Sequence, residues 1–192
     1  MQVSVSPTIN PNYMNKTLTL LAVVVASAAT SFAGTASKKV VVAPQEELFR
    51  AGEVQVDAYA AGAAGKFNGH NNVGALGGGL GLSYFFSKYF GVGIDNTLGG
   101  TVGGNGTTGV LDNLQGNLIG RLPIESLHLA PYALVGGGAT WGSNRGQGNG
   151  NVGGGLEYRI NRGLGLFGDY RWLYGSNNLS ENLFRAGLRF VF

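Results

Sequence analysis

Residues 183–192 read "LFRAGLRFVF". Taken by twos, Phe184, Ala186, Leu188, Phe190 and Phe192 fall on one side, and Arg185, Gly187, Arg189 and Val191 on the other. A period of two is the signature of a β-strand, whose successive side chains point to opposite faces. One face here is oily throughout and the other carries two guanidinium groups. Which of the two faces outward decides what kind of protein this is.

Going back along the chain, the same alternation recurs from Glu53 onward. It marks eight strands, at about 53–61, 74–86, 89–99, 110–122, 129–141, 151–160, 164–174 and 182–192. Three connections are tight: Ser87-Lys88, "PIESLH" (123–128) and "NRG" (161–163). Four are longer and rich in Gly and Asn: 62–72, 100–109, 142–150 and 175–181. Long and short connections alternate, which predicts an antiparallel meander with all long loops at one end. Such a sheet has two unpaired edges, and closing it into a ring removes both. In a bilayer closure is compulsory, because unpaired backbone groups find no water there.

Sorted by parity, one face collects Val54, Val56, Leu76, Leu80, Tyr84, Phe90, Ile94, Leu118, Leu156, Leu166, Tyr170 and the terminal Phe184–Phe192 set. The other collects five acids, Glu53, Asp57, Asp95, Glu157 and Asp169, and five arginines, Arg121, Arg159, Arg171, Arg185 and Arg189. Equal numbers of opposite charge on one face favour a narrow interior that neutralises itself, since a lone buried charge costs several kcal/mol. The competing reading places these charges near strand ends, simply hydrated. Glycines on the same face, such as Gly79, Gly81, Gly153 and Gly155, would give the long arginines room. Strand five is ambiguous by parity, and Phe85 and Phe167 break the pattern.

Aromatics gather at two levels. Tyr84, Phe86, Tyr89 and Phe90 flank the first tight turn, while Trp141, Trp172 and Tyr174 lie next to long loops. Two such bands are what interfacial girdles look like.

Upstream, "MNKTLTLLAVVVASAATSFAG" begins at Met14. Lys16, an apolar run from Leu18 to about Ala29, and Ser31-Phe32-Ala33 make the layout of a secretory signal over residues 14–33. The apolar run is well short of the roughly 20 residues a spanning helix needs. Residues 1–13 fit no signal layout and read as a non-native or mis-assigned start. Residues 34–52 read as a periplasmic N-terminal tail, mobile or briefly helical, ahead of a barrel at 53–192.

The bulk numbers agree. Charged residues make up 12% of the chain, about half the usual share for soluble domains. A net charge of +3 without a basic cluster gives no reason to expect a nucleic-acid partner. With no cysteine, neither a disulfide framework nor a thiolate metal site is available.

Taken together, these features resemble the small outer-membrane β-barrels of the OmpA/OmpX type over residues 53–192. The resemblance implies an all-β, eight-stranded antiparallel up-and-down transmembrane barrel in a Gram-negative-type outer membrane. It implies that Phe184, Phe190 and above all Phe192 form an address read by the barrel-assembly machinery. It implies a lipid bilayer as the main partner, with an extracellular partner left unspecified. With nothing after Phe192, a peptidoglycan-anchoring role is not expected.

Enzyme chemistry is hard to find. His70 and His128 fall at opposite ends of the predicted ring, so a shared metal site is not expected. Ser126 and His128 lie on the wrong side of the membrane for lipid A chemistry. The glycine clusters at 77–81, 136–138 and 153–155 sit inside strands and lack the Gly-Lys-Ser/Thr ending of a phosphate loop. "NGT" (105–107) and "NLS" (178–180) match glycosylation acceptors, which means little in a bacterial envelope. No cofactor is expected. Four functions therefore compete: a structural or surface-interaction barrel, a narrow pore for ions or small solutes, a soluble periplasmic binder, and an enzyme. The first fits the residues best.

Overall fold

The computed structural model describes residues 47–67, 70–102, 109–142, 145–175 and 179–192. The proposed start at 1–13, the signal at 14–33 and the first part of the tail, 34–46, lie outside the described residues.

Eight strands close into one antiparallel ring in sequence order. They are β1 (Glu53–Phe67), β2 (His70–Phe85), β3 (Phe90–Val102), β4 (Val110–Arg121), β5 (Leu129–Gly142), β6 (Arg145–Arg159), β7 (Leu164–Gly175) and β8 (Ser180–Val191). The opening stretch is the closing strand. β8 pairs with β1 from Gln55↔Val191 to Lys66↔Ser180. The ladder ends on Phe192, whose N–H donates to the Val54 carbonyl at 2.9 Å and whose carbonyl accepts from the Val54 N–H at 3.2 Å. No edge remains to be capped.

The apolar parity class faces out. Leu76, Leu118 and Phe184 are 68%, 63% and 58% exposed, while Arg171 and Arg189 are 2% and 5% exposed. A domain folded around its oil would show the reverse. Among the described residues the outer wall also holds polar groups that bond each other: the Asn96 amide donates to the Asp112 carboxylate at 2.6 Å, and the Tyr170 hydroxyl to the Asn182 side-chain oxygen at 2.6 Å. Strand five resolves cleanly, with Ala130, Tyr132, Leu134 and Thr140 inward and Ala133, Val135 and Trp141 outward.

Strand lengths depart from the sequence reading. β1 runs on to Phe67, β2 starts at His70, and β6 starts at Arg145, so most of the expected loops at 62–72 and 142–150 are strand. Only residues 68–69 and 143–144 separate these pairs, and the predicted alternation of long and short connections fails there. Composition misleads at these places. Gly, Ala and Asn carry little strand preference of their own, yet each backbone unit of 61–65 is paired on both sides, to β2 and to β8. Two ladders fix a backbone that its side chains would leave undecided. At the opposite end, the β4–β5 connection contains a single 3-10 turn, Glu125–Leu127, closed by His128 in the left-handed conformation (φ 55).

The residues at 47–52, expected to belong to a tail outside the domain, pack onto the barrel. Phe49 is fully buried, and the Gly52 N–H donates to the Phe85 carbonyl at 2.7 Å.

Candidate functional site: the lumen

The ten inward charges lie in two circuits. The first is a chain near the short turns, Arg121–Glu53–Arg159–Glu157–Arg189–Asp57. Arg121 bonds Glu53 through a very short contact, and Arg159 Nη1 lies 3.0 Å from Glu53 Oε1. Arg159 Nε bonds Glu157, whose other oxygen takes Arg189 Nη1 at 2.7 Å. Arg189 then grips Asp57 with both Nε and Nη2, each at 2.7 Å.

The second circuit is a closed ring of four, further along the strands. Arg185 grips Asp169 in a fork at 2.8 and 2.6 Å and reaches Asp95 at 3.1 Å. Arg171 donates to Asp95 at 2.9 Å, and its Nε lies 3.7 Å from Asp169. Each circuit holds as many acids as arginines, so each is neutral by itself. None of the ten side chains is more than 8% exposed. Burial of this kind is tolerable only when charges are paired and their remaining atoms bonded. Neighbours help with that. The Tyr132 hydroxyl donates to Asp169 at 2.9 Å and the Asn117 amide to Asp95 at 2.9 Å.

The two aromatics that broke parity are inward for a reason. The Arg121 guanidinium lies 3.9 Å from the Phe85 ring centroid, and Arg189 and Arg185 lie 4.7 and 5.7 Å from that of Phe167. Each ring gives a guanidinium an apolar face with favourable electrostatics, which small or aliphatic residues would not. Tyr59 does the same for Arg185 at 4.5 Å. The room it occupies comes from Gly187: a Cβ there would lie 2.6 Å from the Tyr59 Cβ and 2.2 Å from the Ala58 carbonyl oxygen.

Toward the long loops the lumen changes material. Gln115 donates to Asn149 at 2.8 Å and accepts from Asn151 at 2.7 Å, and Asn149 donates to Thr140 at 2.7 Å. Beside this amide layer sit Ala61, Leu173 and Leu183. Among them is one more inward acid, Glu181, which is 5% exposed and has an oxygen without a hydrogen-bond partner among the described residues. Glu181 escaped the sequence reading because β8 was expected to begin at residue 182. Its odd parity, shared with Arg185 and Arg189, is the signal that points inward.

Phe49 also escaped, having no periodic context. Its ring lies under two of the network's arginines, 4.8 Å from Arg159 and 5.2 Å from Arg121. The remaining candidates stand on the outer wall. Tyr84, Phe86, Tyr89, Phe90, Phe190 and Phe192 are exposed at the short-turn end, and Trp141, Trp172 and Tyr174 at the loop end. The rings of Trp172 and Tyr174 pack at a tilt with centroids 5.1 Å apart, and those of Tyr170 and Phe184 likewise at 5.0 Å. His128 stacks on Tyr158 at its turn, and the side chain of His70 lies outside the described residues.

A closed ring of eight antiparallel strands, oily outside and ionic within, is the architecture of the small outer-membrane β-barrels. Solved structures of that class share it. Ail, the attachment invasion locus protein of Yersinia pestis, matches at a TM-score of 0.56 and 15% identity, over 74% of this chain and 99% of that one. Neisserial surface protein A matches at 0.57 and 17%, over 73% and 96%. The N-terminal β-barrel domain of OprF from Pseudomonas aeruginosa matches at 0.52 and 17%, over 74% and 99%. Identities this low establish the common fold. The sequence matches no protein-family model and no curated protein.

Proposed function

We propose that this chain is an integral outer-membrane β-barrel with a structural or surface-interaction role in the cell envelope, its lumen closed by the charge network. The observation that carries the reading is the pair of neutral ion circuits. They occupy the short-turn end and the middle of an eight-stranded ring, which has room for little beyond its own side chains. The apolar wall supports residence in lipid, with the two aromatic bands as its girdles. Residues 14–33 would export the chain, and Phe184, Phe190 and Phe192 would present the closing strand to the barrel-assembly machinery. The surface-interaction part is supported by the likeness to Ail, described as an attachment invasion locus protein. No catalytic role is proposed.

The test is single-channel recording in planar bilayers on the native protein and on Arg171→Ala and Arg189→Ala variants. The closed lumen predicts no steady conductance for the native protein. Discrete openings in the native protein, altered in size by either variant, would replace this reading with that of a narrow gated pore for ions or small solutes.

A further inference from the structure

The short-turn mouth of the barrel holds a peptide. Residues 48–50 lie across it, and the contacts are of three kinds. The Phe49 ring, fully buried, lies against the guanidinium groups of Arg159 and Arg121 at 4.8 and 5.2 Å. The N–H groups of Leu48 and Phe49 both donate to the Glu125 carboxylate, at 3.1 and 3.4 Å. The carbonyls of Leu48 and Arg50 accept from Arg159 and Arg121, at 3.2 and 3.3 Å. Acceptors meet donors on both edges of a three-residue stretch, and a cationic clamp meets the aromatic ring between them.

From this geometry we infer that the mouth is a binding site for an aromatic peptide segment, occupied by the chain's own Leu48–Arg50, which serves as a plug over the charged lumen. The energetics favour a seated but releasable plug. The segment is held by cation–π contacts and by hydrogen bonds to charged groups, each modest by itself. Glu125 is the element best placed to control release. It lies on an exposed turn outside the ring, and it alone receives two backbone donors of the segment. Arg121 and Arg159 also belong to the first ion circuit, so they hold the segment with groups already paired to carboxylates. What the plug adds is exclusion of water from that circuit at its open end, where Glu53 and Arg159 are both fully buried. This inference goes beyond the closed-lumen reading, which concerns conduction through the whole barrel, and the experiment below reads only access to one mouth.

The chain has no cysteine, so Gln55→Cys places a single thiol one inward position beyond Glu53, at a site that is fully buried in the native protein. The rate at which a small charged thiol reagent labels this full-length variant in lipid vesicles measures opening of the mouth. Adding Glu125→Ala, or separately Phe49→Ala, should raise the rate about tenfold or more, with gel mobility confirming that each barrel is still closed. Glu125→Ala touches no lumen residue, so it decides the matter even if Phe49→Ala fails to fold. Equal labelling rates with and without Glu125→Ala would overturn the plug.

Discussion

The two ends of the lumen solve the same problem with different chemistry. Near the short turns and at mid-length the interior is ionic, with guanidinium forks closing on carboxylates and aromatic rings lying beneath them. Near the long loops it is made of amides, small residues and leucines, with Glu181 as its one buried acid among the described residues. An ion-pair network is specific and brittle. It fixes the register of the strands that contribute to it, but the loss of one member strands its partners in a place without water. An amide layer loses less when one member goes, because each group is neutral and each bond is worth about 1 kcal/mol. The comparison implies that the ionic end resists substitution and the loop end tolerates it.

The largest effect is expected from Arg189→Ala. It would leave both Asp57 oxygens and one Glu157 oxygen unpaired in the interior. Removing one partner of a buried pair costs about 3–5 kcal/mol, and urea titration of the barrel in vesicles should show a loss of that order. A loss below about 1 kcal/mol would mean that the network is hydrated and behaves as a surface. Gly187→Ala comes next. Its added methyl meets the Ala58 carbonyl and Tyr59, the platform under Arg185, so overpacking should cost about 1–3 kcal/mol by the same titration.

At the loop end, Gln115→Ala breaks its bonds to Asn149 and Asn151. The expected loss is about 1–2 kcal/mol, clearly below that of Arg189→Ala. Equal losses would erase the contrast between the two ends. The smallest effect, and one of opposite sign, belongs to Glu181→Gln. It removes a buried carboxylate with an unpartnered oxygen and should leave stability unchanged or raise it by up to about 1 kcal/mol. A marked loss would mean that the carboxylate is paired in the folded barrel.

Much of this was legible in the sequence, and the parts that were not have physical causes. Parity alone sorted the ten charges onto one face. Two pairings also follow from neighbouring strands, since Asp57 is directly opposite Arg189 and Asp169 directly opposite Arg185. The contacts Glu53–Arg121 and Asp95–Arg171 join strands that are not neighbours, and only the curvature of the closed ring brings them together. Phe85 and Phe167 looked like errors of pattern because their partners are cations on other strands, Arg121 two strands away for Phe85 and Arg185 and Arg189 on the adjacent strand for Phe167, rather than neighbours along their own strand. The extensions of β1, β2 and β6 were hidden because small residues are silent about conformation when their pairing is supplied by other strands. Phe49 was hidden because a single aromatic outside any repeat has no period to read.

The central claim is that this barrel turns its oil toward lipid and its charges toward each other. The chain's two tryptophans, Trp141 and Trp172, both stand on the outer wall, so their native fluorescence reports that wall without any substitution. In vesicles made with brominated acyl chains, the folded protein should lose most of this emission compared with unbrominated vesicles. Full, red-shifted emission that is indifferent to the bromines would place the same wall in water and contradict the claim.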